Sequence, residues 1–282
     1  MKKPFHIVRP VNLLIIAGTM LVLMYRYTDE QNAAYWPEAI FLIVSAVLTA
    51  AAGYVVNDIF DVETDTINKP NAVIVGKTMQ KKHAWILYLI LNVISVVTAY
   101  AYSMKFATIN TCLMAMLYLY AVQLKGMPLI GNIIVAFCSA GVLATCALHI
   151  RFDTESASWN YLGYVTFAFL ISLIREMVKD MQDVEGDKHA GLKTYPIAIG
   201  IKGSKLFVFV ICGIEILLCG LYSFFAWKLD FYISSIIMGA ITLALFYFIN
   251  SLSRAKTADE YGRESKFLKY VMFVGVINIL FS

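Results

Sequence analysis

The sequence predicts an all-α integral membrane protein, with about nine transmembrane helices in one bundle and a cytoplasmic N-terminus. Three observations predict it. The 282 residues are 60% hydrophobic and 15% charged, with a mean hydropathy of +0.71, whereas soluble domains carry about a quarter charged residues. Apolar runs near 20 residues, the length that crosses a hydrocarbon core, recur along the whole chain. Lys and Arg gather on one side of those runs, as cytoplasmic loops require.

The apolar runs lie at about 11–27, 37–57, 83–103, 106–122, 129–149, 160–180, 205–227, 231–250 and 267–282. The first follows Met1-Lys2-Lys3-Pro4 and looks like a signal peptide, but it ends at Tyr25-Arg26-Tyr27 with no small-residue cleavage site, so it is read as a retained span. Brief connections make most consecutive helices antiparallel neighbours. Three longer polar stretches, at about 58–82, 181–204 and 251–266, are expected as cytoplasmic loops of a single domain covering 1–282. With the N-terminus inside, 19 of the 23 Lys and Arg residues fall inside, and Arg26, Lys105, Arg151 and Lys228 outside. That bias predicts an N-in, C-out topology and a site facing the cytoplasm; in a bacterium the membrane would be the inner one.

A net charge of +4 without a basic tract does not suggest a nucleic-acid partner, and no obligate protein partner is evident. Cys112, Cys138, Cys146, Cys212 and Cys219 sit in apolar runs without a CxxC pair, which argues against disulfides or zinc and for small buried hydrophobes. His6, His83, His149 and His189 lack ligand spacing, and only His189, just past the second acidic stretch, comes near a candidate site.

The acids are concentrated. Nine of nineteen fall in two short stretches, Asp58-Ile-Phe-Asp61-Val-Glu63-Thr-Asp65 and Glu176-Met-Val-Lys-Asp180-Met-Gln-Asp183-Val-Glu185-Gly-Asp187. Asp58, Asp61, Asp65 and Asp180, Asp183, Asp187 share the spacing D-x-x-D-x-x-x-D, whose steps of three and four set all three carboxylates on one helical face. Asn57 shares that face with Asp61. Like charges so placed repel by a few tenths of a kcal/mol per exposed pair, and by more where water is scarce. Divalent cations relieve this, and hard oxygen ligands suit Mg²⁺, which takes one or two carboxylates together with substrate phosphates. Two such faces opposed across a cavity would hold a diphosphate between bridging metals. Solvated helix ends would explain one such motif; two copies on one side of the membrane favour the metal site. Arg9, Lys125, Arg175, Lys179 and Lys193 lie close enough in sequence to contact phosphate, Arg as a fork and Lys as a point charge.

Asn57 to Asp65 resembles the N-D-x-x-D-x-x-x-D signature of the UbiA superfamily of intramembrane prenyltransferases, and Asp180 to Asp187 resembles its second motif. Arg9-Pro10, Tyr120 to Lys125 and Lys193-Thr-Tyr-Pro196 extend the resemblance over nearly the whole chain. It implies a bundle around a central cavity with an opening to the lipid for a prenyl chain. It also implies that Asn57, Asp58, Asp61 and Asp65 bind the donor diphosphate through Mg²⁺, that Asp180, Asp183 and Asp187 bind metal and help place the acceptor, and that Lys125, Arg9 and Tyr120 contact substrate. The segment Ile174-Arg175-Glu176-Met-Val-Lys179-Asp180 is most similar to the digeranylgeranylglyceryl phosphate synthase branch, which alkylates a glycerol-phosphate prenyl ether. Ala72 and Val73 depart from that branch, standing where it has Arg-Pro.

The expected activity is therefore Mg²⁺-dependent transfer of a geranylgeranyl group from its diphosphate to a lipophilic acceptor, best geranylgeranylglyceryl phosphate. Asp58, Asp61, Asp183 and Lys125 are the catalytic candidates, and Asp183 or Glu176 is the base for an alcohol acceptor. Prenylation of an aromatic acceptor is the alternative within the same fold. An ion-coupled transporter is the alternative of another class, but its acids would lie at mid-bilayer, where only Glu215 falls. A CDP-alcohol phosphotransferase lacks its D-G-x-x-A-R opening here.

Overall fold

The computed structural model describes residues 3–27 and 36–282. Lys2, counted above on the cytoplasmic side, lies outside the described residues. Ten α-helices carry the fold: α1 (Pro10–Tyr27), α2 (Trp36–Phe60), α3 (Val62–Asn68), α4 (Lys81–Tyr102), α5 (Met104–Val122), α6 (Ile130–Ala144), α7 (Glu155–His189), α8 (Tyr195–Lys228), α9 (Tyr232–Arg254) and α10 (Ala258–Asn278). Short 3-10 turns precede α1 and follow α6 and α10, and no strand forms among the described residues.

Nine of these helices correspond to the nine apolar runs, and eight are long and apolar enough to cross a membrane. The ninth, α10, opens with the polar turn Ala258-Asp-Glu-Tyr-Gly-Arg-Glu and starts well before the apolar run at 267. Its start is set by a capping box: the Thr257 hydroxyl accepts from the Glu260 backbone N–H, and the Glu260 carboxylate accepts from the Thr257 N–H. Apolar side chains cover the outside. On α4 only 17% of the span is buried, and Leu89, Val93 and Val97 face outward. Such an exterior is stable only against lipid.

The helices close into a ring. α2 packs on α1, α4 and α5; α5 on α6; α6 on α7; α7 on α8 and α10; α8 on α9; α9 on α10; and α10 returns to α1. One apolar core joins α7 to α10 through Ile174, Val208, Ile241 and Leu268. A second joins α1, α2, α5, α6 and the start of α7 through Met24, Leu42, Phe106 and Cys138. Among apolar helices, polar side chains act as specific links. Thr49 donates to Asn110 Oδ1 at 2.9 Å, Asn110 to Ser95 Oγ at 2.9 Å, and Ser45 to the Ser95 carbonyl at 2.8 Å, tying α2, α4 and α5 together.

Three expectations need correction. The stretch 181–204 is not mainly a loop: α7 runs on to His189, and α8 begins at Tyr195 with a kink at Gly200 (φ 79°, ψ 162°). The stretch 58–82 holds the end of α2 and the whole of α3. Hydropathy marks where a helix leaves the apolar layer, whereas backbone hydrogen bonding carries it further. Cys112 is exposed on the outer face of α5, while the other four cysteines are buried as expected.

Candidate active site

The first acidic motif lies at the α2–α3 junction. Asp61 leaves the helical region slightly (φ −88°, ψ 4°), yet its N–H still bonds the Asn57 carbonyl and the Asp65 N–H bonds its own carbonyl. The i to i+4 register therefore survives, and Asp61, Asp65 and Asn68 share one face of α3. That face meets α7. The Asn68 amide donates to the Asp183 carbonyl and its oxygen accepts the Gly186 N–H, both at 2.9 Å. Gly186 permits this approach: a Cβ there would lie 2.4 Å from Asn68 Nδ2 and 2.7 Å from the Thr64 carbonyl. The other face of α3, with Glu63, Thr66 and Ile67, borders a separate surface depression of about 510 Å³ that also takes His189. His189 thus stands on the far side of α3 from the paired carboxylates.

Four of the six motif carboxylates are held by a cation or an amide from elsewhere in the chain. Arg9 Nη2 contacts Asp58 at 2.8 Å while its guanidinium lies 4.8 Å over the Tyr54 ring. Lys125 pairs with Asp61, to which Asn57 also donates. Lys69 pairs with Asp183 at 2.6 Å, and Asn132 donates to Asp180 at 2.7 Å. Asp65 makes no ion pair among the described residues, and Asp183 Oδ1 is buried without a hydrogen-bond partner. Asp187 is buried as well.

The two motifs converge on Lys125. Besides Asp61, its ammonium is attracted by Asp187 and Asp65; burial opposes its charge, but these carboxylates outweigh burial and raise its pKa above the lysine value. Burial likewise disfavours the charge on Arg9, and Asp58 with Tyr54 more than offsets it. Asp65 is pushed upward, first by burial and then by the Asp61 charge. The turn bearing Lys125 is pinned at Gly131, where a Cβ would lie 2.9 Å from the Leu124 carbonyl. The Lys193 N–H bonds the Gly126 carbonyl on its other flank.

The structure therefore gathers Asn57, Asp58, Asp61, Asp65, Arg9, Lys125, Asp180, Asp183 and Asp187 in one region. Tyr120 joins them, within electrostatic reach of Glu176, Asp180, Asp61 and Arg9. The Lys193 side chain is exposed and makes no ion pair among the described residues, while its backbone N–H supports the Lys125 turn. Arg175 and Lys179 both turn to Glu176, at 3.0 and 2.7 Å. In place of the missing Arg-Pro, Val73 is buried beside Ile74 and Val75, the latter two packing on Ile7 and Ile59.

Sequence reasoning missed Asn68, Lys69 and Asn132. Asn132 carried a signal, as an amide inside an apolar run; Lys69 did not, because its partner lies 114 residues away.

Among the described residues no three acids converge into a ready-made ion cage; carboxylates and cations are interleaved instead. A lipid-embedded helical bundle with this charge arrangement at one end defines an integral membrane protein that handles a polyanionic substrate. The chain belongs to the UbiA prenyltransferase family, matching it over residues 13–273, and is a membrane-bound prenyltransferase. It is 30% identical to a digeranylgeranylglyceryl phosphate synthase of Methanobrevibacter smithii, over 96% of this chain and 94% of the relative. A solved structure concerning digeranylgeranylglyceryl phosphate synthase in membranes is 24% identical, superposes with a TM-score of 0.68 and covers 98% of this chain and 96% of its own. A UbiA homologue from Archaeoglobus fulgidus, bound to DMAPP and Mg²⁺, is 18% identical with a TM-score of 0.69, covering 97% and 99%. The transporter alternative falls with this membership.

Proposed function

We propose that the chain transfers a geranylgeranyl group from its diphosphate to geranylgeranylglyceryl phosphate, at a site facing the cytoplasm. The observation that carries this is the interleaving of two identical carboxylate triads with Lys125 and Lys69 where α3 meets α7. The glycerol-phosphate acceptor follows from the relatives' activity, and the cytoplasmic face from the Lys and Arg distribution.

The donor set fits Mg²⁺. Asp65 and Asp187 make no ion pair among the described residues, so each triad retains oxygen ligands. Mg²⁺ seldom takes a full protein cage and completes its shell with phosphate oxygens and water. Asp58, Asp61, Asp65, Asp180, Asp183 and Asp187 are the residues that would hold it, and it would supply positive charge to the diphosphate oxygens.

The remaining work belongs to the chain. Breaking the allylic C–O bond sends the electron pair to the departing diphosphate and leaves positive charge on the prenyl fragment. Lys125, Lys69 and Arg9 stabilise the former as it develops. The surrounding apolar helices keep water from the latter. The acceptor hydroxyl oxygen then bonds the allylic carbon and loses its proton to a base. Asp183 suits that role better than Glu176, because both Glu176 oxygens are occupied by Arg175 and Lys179 while Asp183 Oδ1 is not.

The test is purified protein with Mg²⁺ and geranylgeranyl diphosphate, offered geranylgeranylglyceryl phosphate beside naphthoate, hydroxybenzoate and haem acceptors. The expected product is the second ether of the glycerol phosphate, abolished by EDTA and restored by Mg²⁺. An aromatic product, or transfer indifferent to EDTA, overturns the reading.

A further inference from the structure

Between α1, α7 and α10 lies a group of cations that make no direct ion pair with the carboxylate triads among the described residues. Arg175 and Lys179 stand one turn apart on α7, with 19% and 29% of their side chains exposed. From α10, Lys269 reaches across to donate to Asn12 Oδ1 on α1 at 3.2 Å. It lies in the field of Arg175, Lys179 and Arg9, and Glu176 is the acid within that group. Arg9 is matched by Asp58. Glu176, with Asp180 acting on Lys179 from beside it, therefore stands against three cations and leaves an excess of about one to two positive charges in a largely enclosed place.

Partly buried charges persist when something pairs them. Glu176 is a single negative charge already shared, with one oxygen on Arg175 and the other on Lys179. Arg175 Nε is buried and has no partner among the described residues, which leaves a guanidinium edge of the kind that binds phosphate by two parallel bonds. A phosphate monoester carries about −1.5 to −2 charge near neutrality, matching the excess.

We propose that Arg175, Lys179 and Lys269 form a second anion site, distinct from the diphosphate site, that binds the phosphate of a glycerol-phosphate acceptor. This assignment rests on the function proposed above. The spacing agrees with it. Arg175 stands eight residues of helix before Asp183, a rise of about 12 Å, and Lys179 four residues before it, a rise of about 6 Å. An acceptor phosphate, the glycerol carbons to its free hydroxyl, a near-attack gap of about 3 Å and the scissile C–O–P link together span on the order of 10 Å. One substrate phosphorus at each anion site therefore brings the hydroxyl to the allylic carbon. Lys269 is a positioning and specificity residue in this scheme, and no motif pointed to it.

The test compares wild type with Lys269→Met and Lys269→Arg. Lys269→Met should raise the KM for geranylgeranylglyceryl phosphate at least tenfold and leave the KM for geranylgeranyl diphosphate unchanged. The arginine variant should stay within about threefold of wild type. With the dephosphorylated acceptor, geranylgeranylglycerol, wild type and Lys269→Met should be equally poor. An unchanged acceptor KM, or a defect equal for both acceptors, overturns the site. A second measurement separates the site from the reaction: thermal stabilisation by glycerol phosphate, with Mg²⁺ and inorganic diphosphate saturating the other site. Saturable stabilisation in wild type that Lys269→Met loses upholds the anion site even if no ether forms, in which case the proposed function alone fails. No stabilisation of wild type overturns it.

Discussion

Gly186 is the point at which the two acidic motifs are held in register, and Gly186→Ala puts numbers on that contact. Helix propensity alone favours alanine by about 1 kcal/mol. Against it, the added methyl would lie 2.4 Å from Asn68 Nδ2 and 2.7 Å from the Thr64 carbonyl. The second contact is backbone, so α3 itself must move. Overpacking of this kind costs about 1–3 kcal/mol. The displacement also breaks the two 2.9 Å bonds of Asn68 to Gly186 and Asp183, at about 1 kcal/mol each. The net expectation is a loss of about 2–4 kcal/mol. Moving one carboxylate triad by about 1 Å relative to the other should cost about 100-fold in turnover. The assay is transfer rate and thermal unfolding of purified protein in detergent, with Gly163→Ala as comparison. Gly163 lies on the same helix with nothing within 4 Å of a Cβ, so its variant should keep wild-type turnover and be as stable as wild type or up to about 1 kcal/mol more so. A Gly186→Ala protein with wild-type stability and rate would refute the claim that close contact of α3 with α7 organises the site.

Asp58→Asn and Asp183→Asn should each reduce transfer by at least about 100-fold, as expected for a lost electrostatic group, while the protein still elutes as a folded species; near-normal rates in either variant would remove the triads from the chemistry. Glu215 is buried on α8 with both carboxyl oxygens unpartnered among the described residues, so Glu215→Leu should raise stability by about 1–3 kcal/mol and leave turnover intact; a drop in melting temperature would show that Glu215 has a partner worth keeping. The Glu260 carboxyl is held below its ordinary value by the backbone N–H groups of Lys256 and Thr257. Its contribution is therefore complete above about pH 4.3 and fades as pH falls through the depressed value. Glu260→Gln should flatten the acid-side decline of the melting temperature, and an unchanged slope would show that the capping box does not matter there.

The membrane class and the two triads were legible in the chain alone, because both are local properties. Twenty apolar residues need lipid wherever they sit, and D-x-x-D-x-x-x-D aligns carboxylates on any helix. The nine apolar runs correspondingly reappear as nine long helices, and Asn57, Asp58, Asp61, Lys125 and Asp183 lie together in the candidate site. The extension of α7 to His189 was not legible, since a polar helix and a polar loop look alike to hydropathy. Which cation meets which carboxylate was decided only by tertiary packing. Lys69 reaches Asp183 because α3 folds down on Gly186, and Lys193 supports the Lys125 turn because its backbone N–H meets the Gly126 carbonyl. Lys269 is the clearest instance: in sequence it is a lone charge entering an apolar run, and only the closing of α10 onto α1 and α7 sets it beside Arg175 and Lys179. Charge pairing acts over a few ångströms in space, so residues distant in the chain acquire partners only when the helices close the ring.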